Sequence, residues 1–174
     1  MKSLIRSWFS TDEGPVEQQS ALRDLVDALD RLEPDHARYL AQFAYLLGRV
    51  AHADQHVSPE EIRTMETLVK QEGNLSEDLA VLVVGLARTS NRMFGGTDNF
   101  IIARDFATYA SYPQRLGLLR CLFSVSISEG NISIAEEREI QRIARELRID
   151  GEDLIKLRLE FRQHLPGLSG RTES

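Results

Sequence analysis

Four carboxylates stand where helices meet. Asp54 and Glu129 each follow the end of a predicted helix, and Glu61 and Glu136 each fall just inside the start of the next. A carboxylate at a helix C-terminus faces the negative end of the macrodipole, a penalty of up to about 1 kcal/mol unless something compensates. One compensation is a turn in which the side chain accepts from nearby backbone N–H groups. The other is a bound cation. A hard ion such as Ca²⁺ takes several oxygens, and Asp54, Glu61, Glu129 and Glu136 would supply them if the two turns converge. Glu61 and Glu136 have a second role open to them. Each lies three residues after a serine, Ser58 or Ser133, and can close a capping box with it.

The four acids belong to a pattern that occurs twice, 75 positions apart. Residues 46–61 are matched by 121–136. Leu47 pairs with Leu122, Val50 with Val125, Ser58 with Ser133, Glu61 with Glu136 and Arg63 with Arg138. Glu77-Asp78-Leu79 pairs with Glu152-Asp153-Leu154. Asp54 meets Glu129, so the acid is kept while its length changes. Self-similarity at a fixed period signals stacked supersecondary units.

Other chemistry is thinner. His52, Asp54 and His56 could offer a zinc set, but only if the helix breaks between them. An EF-hand is excluded: a loop opening at Asp54 has Pro59 where its glycine belongs and Met65 where its bidentate Glu belongs. The loop opening at Glu129 fails at Ile140. There is no G-x-S-x-G, phosphate-binding glycine loop or H-E-x-x-H, so no reaction is assigned. Arg88, Arg92 and Arg104 lie around a glycine pair and could meet an anion or an acidic partner, but a solvated loop is the favoured reading. Cys121 is the lone cysteine, set among apolar residues, and reads as a small buried hydrophobe.

The elements that would position these residues are helical throughout, with apolar side chains three and four apart. About eight helices are expected, near residues 15–32, 34–53, 58–73, 79–87, 98–110, 113–128, 133–147 and 151–163. Leu79 to Ala87 is apolar almost all round and should be central. Gly95-Gly96 reads as a hinge between the halves. The fold class is all-α, a bundle of seven to eight helices built from two similar helix–turn–helix units. The expected layout is an N-terminal arm over 1–14, a helical domain over 15–165 and a disordered tail over 166–174. Tyr39, Tyr45, Phe94, Tyr109 and Tyr112 are candidates for the core or for a groove.

Composition narrows the function class. The net charge of −6 argues against nucleic acid, which demands basic patches. No apolar run is long enough to span a membrane, and the apolar stretch at the start is too short for a signal peptide. A single cysteine fits a reducing compartment, so a cytoplasmic location is expected.

Ala51, Ala53, Asp54, Val57, Ser58 and Glu61 form an A-x-A-D-x-x-V-S-x-x-E pattern that resembles the hallmark of the TerB family of tellurite-resistance-type proteins. Ser128-Glu129-Gly130-Asn131-Ile132-Ser133 with Glu136 resembles it again. The likeness covers roughly residues 36–160 and extends to the domain attached to a DnaJ-like membrane co-chaperone. It implies an all-α domain without catalytic activity, linked to tellurite and other chemical stress, working with membrane-bound protein partners. It also implies cation binding by clustered acids, with Ca²⁺ or Zn²⁺ as the candidate ion. A location at the periphery of the inner membrane would follow. Two positions depart from the pattern: Gln55 stands where glycine is usual, and Glu129 where aspartate is usual. The competing expectation is a metal-independent interaction scaffold or co-chaperone-like helper.

Overall fold

A computed structural model describes residues 16–51, 59–89, 96–128 and 131–166. Among these the chain is entirely helical. The elements are α1 (Val16–Asp30), α2 (Pro34–Ala51), α3 (Pro59–Glu72), α4 (Glu77–Thr89), α5 (Gly96–Tyr109), α6 (Tyr112–Ser128), α7 (Ile134–Glu146) and α8 (Gly151–Glu160), followed by a 3₁₀ turn, Arg162–His164. The all-α bundle expected from the periodicity is therefore the observed architecture. The N-terminal arm, the Gly95 side of the hinge and residues 167–174 lie outside the described residues.

Local chemistry explains several boundaries. Pro34 opens α2, where its missing N–H is not needed. The Ser76 hydroxyl accepts from Leu79 N–H at 3.4 Å and starts α4. Ser133 caps α7 through a full capping box. The ends of α3 and α7 fold alike. Leu75 N–H donates to Lys70 O at 3.1 Å, and Ile149 N–H donates to Ala144 O at 3.0 Å. Asn74 and Arg148 take the left-handed conformation between them, at φ 51° and 55°.

The core is shared. Helix α2 packs on α4 and α6, α3 packs on α4 and α6, and α7 packs on α2, α5 and α6. Leu47 and Leu122 are both fully buried, as are Val50 with Val125 and Met65 with Ile140. Phe43, Phe106 and Phe123 are the largest side chains with almost no exposure. Helix α1 leans on α4 where a Cβ at Gly85 would come within 3.1 Å of a Leu25 methyl. Helix α4 is central, as expected, packing on α1, α2 and α3. Val81 alone among its large apolar side chains is exposed, at 45%, while Ala80, Leu82, Val83, Val84, Leu86 and Ala87 are buried.

Candidate functional site

Three of the four candidate ligands cannot be placed by their side chains. Asp54 and Glu129, with His52 and His56, lie outside the described residues, and Glu61 is placed only as backbone in α3. Glu136 is described fully. Its Oε2 accepts from Ser133 N–H at 2.8 Å, while Ser133 Oγ accepts from Glu136 N–H at 3.2 Å. Its carboxylate is thus engaged as a cap. Among the described residues, no group of three or more His, Cys, Asp or Glu is arranged to hold a metal ion.

The structure reveals instead a polar seam along α2. Arg38, Gln42, Tyr45 and Arg49 are spaced by four, three and four, so they share one face. That face meets α5 and α7. Arg38 Nε donates to Asp105 Oδ2 at 3.1 Å, and its other nitrogen closes a second bond to the same carboxylate. The fully buried Gln42 donates to Asp105 Oδ2 at 2.6 Å and accepts from the Tyr109 hydroxyl. Tyr45 donates its hydroxyl to the Asn99 side chain.

Arg49 ends the seam. Its Nε and one terminal nitrogen donate to Glu139 Oε1 at 2.9 and 2.7 Å. The other donates to Glu146 Oε2 at 2.7 Å and to Asn99 O at 3.2 Å. The Arg49 side chain is 6% exposed and that of Glu146 9%. A buried guanidinium is tolerated only because two carboxylates and a carbonyl take its donors. The arrangement pins the end of α2, five positions before Asp54, to α5 and α7.

The titratable groups that burial perturbs are held neutral. Burial pushes the Tyr39 phenol up to about 12. It raises Tyr109 further, against the pull of Arg38, whose guanidinium lies 4.6 Å from the Tyr109 ring centre. Burial also raises the Cys121 thiol, so this cysteine is not a poised nucleophile. At the α8 start, the Tyr112 hydroxyl accepts from Asp150 N–H at 3.1 Å and donates to Asp153 Oδ2 at 2.7 Å. That bond holds the Asp153 carboxyl below its ordinary range, with Lys156 adding to the effect.

The family model described as Tellurite resistance protein TerB matches residues 40–159. The chain belongs to the TerB family. The match runs from the first turns of α2 to the last turn of α8 and takes in both acid-bearing turns. Comparison with curated proteins and with solved structures returned no match.

Sequence reasoning did not single out Arg38, Gln42, Arg49, Asp105, Glu139 or Glu146. A signal existed on α2, where four polar or amphipathic residues recur at helical spacing inside an apolar stretch. The partners carried no signal, because they lie 50 to 97 positions away along the chain. Of the tyrosines, Tyr45 is core at 3% exposure, while Tyr109 is 36% exposed.

Proposed function

We propose that this TerB-family protein is a non-catalytic binding module of a tellurite or chemical-stress response, with a divalent cation, Ca²⁺ or Zn²⁺, as its small ligand. The observation that carries this reading is the family match across both acid-bearing turns. The fit of the acids is uneven. Glu136 keeps its cap, so Asp54 and Glu129 are the principal ligands in this reading, and Glu61 and Glu136 lend oxygens at the rim. Arg49 supports the reading indirectly, since it anchors the helix that leads to Asp54. Thermal unfolding with added Ca²⁺ or Zn²⁺ tests it. The melting temperature rises with one of them, and Asp54→Asn with Glu129→Gln abolishes the rise. No rise with either ion, or one that survives the double variant, overturns the cation part.

A protein partner, membrane-bound in one form of the reading, completes the function. A second reading, a metal-independent scaffold or co-chaperone-like helper, is favoured by the outer face of α5. Phe100 and Ile101 are 50% and 56% exposed there, beside Arg104, which lies over the Phe100 ring. The cytoplasm remains the proposed location. Among the described residues, no helix is long and apolar enough to cross a membrane.

A further inference from the structure

Helix α7 sorts its charges. It carries four glutamates and three arginines, a mixture that reads as balanced in the sequence. In the fold the acids are consumed from within. Glu136 caps the helix. Glu137 accepts from Arg158 Nε at 3.0 Å and from Gln141 at 3.2 Å. Glu139 and Glu146 hold the buried Arg49. The arginines are left outside. Arg138, Arg142 and Arg145 are all exposed, and their spacing of four and three puts them in one row. Arg142 shares Glu139 at 3.2 Å and is still 61% exposed; among the described residues, Arg138 and Arg145 have no acid partner. Ile134, 58% exposed, stands one turn before Arg138 in the same row.

We propose that this outer face of α7 docks an acidic helical segment of a partner protein. The proposal rests on the partner part of the function above and is independent of the cation part. Guanidinium forks suit carboxylates better than a lysine point charge does. Carboxylates three and four apart on a partner helix meet the row of arginines, and Ile134 adds an apolar contact at its N-terminal end. The row from Arg138 to Arg145 rises only about 10 Å. A chain of net charge −6 would bring repulsion along with that row to a flat anionic bilayer, whereas a peptide touches the row alone.

The test uses the full chain in the presence of a chelator, so that a cation at the turns cannot contribute. The probe is a fluorescein-labelled, alanine-rich helical peptide with glutamates three and four apart, followed by anisotropy. We expect binding that weakens with salt, and about tenfold weaker binding for Arg138→Gln, Arg142→Gln and Arg145→Gln together, from three lost exposed pairs. The double variant Arg138→Gln with Arg145→Gln keeps the Arg142–Glu139 pair and should lose part of the affinity, which guards against a folding artefact. Arg63→Gln with Lys70→Gln on α3 should bind as the parent does. No binding by the parent overturns the proposal, as does equal loss in the α3 variant. Capture by phosphatidylserine vesicles with no binding of the peptide also overturns it, in favour of a membrane surface.

Discussion

Helices α2 and α6 stand 75 positions apart in the sequence and solve the same packing problem by opposite means. Each must pass its outward face against a helix of the other half. On α2 the positions are Arg38, Gln42 and Arg49, long polar side chains that reach Asp105, Tyr109, Glu139 and Glu146. The corresponding positions on α6 are Pro113, Gly117 and Ser124. There the backbones close in instead: a Cβ on Gly117 would lie 3.0 Å from the Glu72 carbonyl oxygen. Ser124 is 6% exposed where Arg49 needs a cage of acids. The shared apolar positions build one core. The unshared ones decide that α3 meets α6 closely, and that α7 meets α2 through charge.

The sharpest way to break this comparison is to remove the charge. Arg49→Met should cost about 3–5 kcal/mol in urea unfolding, because Glu146 is left buried without its cation and Glu139 keeps only the exposed Arg142. Adding Glu139→Gln and Glu146→Leu should recover much of that loss, since replacing a whole buried network with apolar groups is often near neutral. A loss under about 1 kcal/mol for Arg49→Met would mean that the seam holds nothing.

A second difference between the helices is titratable. Tyr39 on α2 stacks on Phe106 with ring centres 5.3 Å apart, and its counterpart on α6 is Gln114. Burial lifts the Tyr39 pKa from 10.0 to about 12 in the folded chain. The folded state therefore keeps its proton where the unfolded state gives it up. Stability is whole below pH 10 and falls as pH rises towards 12, by roughly 2–3 kcal/mol from this group. Tyr39→Phe should flatten part of the decline seen in urea midpoints between neutral and alkaline pH. Tyr109, raised by the same cause, retains the remainder. An unchanged decline would remove Tyr39 from the account.

On the α6 side the sensitive position is Gly117. Gly117→Val should cost about 1–3 kcal/mol, because the new methyls meet the Glu72 carbonyl and neither backbone can give way cheaply. Gln42→Val on α2 shortens the side chain instead; its cost comes from leaving Asp105 and Tyr109 short of a partner. If Gly117→Val were neutral, the close approach of α6 to α3 would not be a constraint.

What the sequence displayed was the part governed by periodicity and local hydrogen bonds. Apolar spacing announced eight helices, and Ser133 with Glu136 announced a cap that the structure contains. The duplicated apolar positions, such as Leu47 and Leu122, announced the core. The seam stayed hidden because Arg49, inside Leu46-Leu47-Gly48-Arg49-Val50, resembles a solvated arginine until α7 supplies its acids. The sorting of charge on α7 stayed hidden for the same reason. Glutamate and arginine are interspersed along that helix, and only its neighbours determine which sign turns inwards. Even the fixed offset slips: the matching turns at Asn74 and Arg148 are 74 positions apart. The slip arises within α3 and α7, which start 75 positions apart at Pro59 and Ile134 and end 74 apart at Glu72 and Glu146, and it persists at the starts of α4 and α8.

The smallest effect concerns the start of α7, where a cap and a ligand compete for one side chain. Ser133→Ala removes the hydroxyl that accepts from Glu136 N–H and should cost about 1 kcal/mol. Glu136→Gln is the more telling change. Glutamine at this position can still accept from Ser133 N–H, so unfolding in the absence of metal should shift by only a few tenths of a kcal/mol. A neutral amide is a far poorer ligand for a hard cation than a carboxylate. If Glu136 is only a cap, Glu136→Gln leaves any rise in melting temperature caused by Ca²⁺ or Zn²⁺ intact. If it also lends an oxygen to a cation held by Asp54 and Glu129, the same variant keeps its metal-free stability and loses part of that rise. Ser133→Ala separates the two roles in the opposite direction, weakening the helix start while leaving the carboxylate in place.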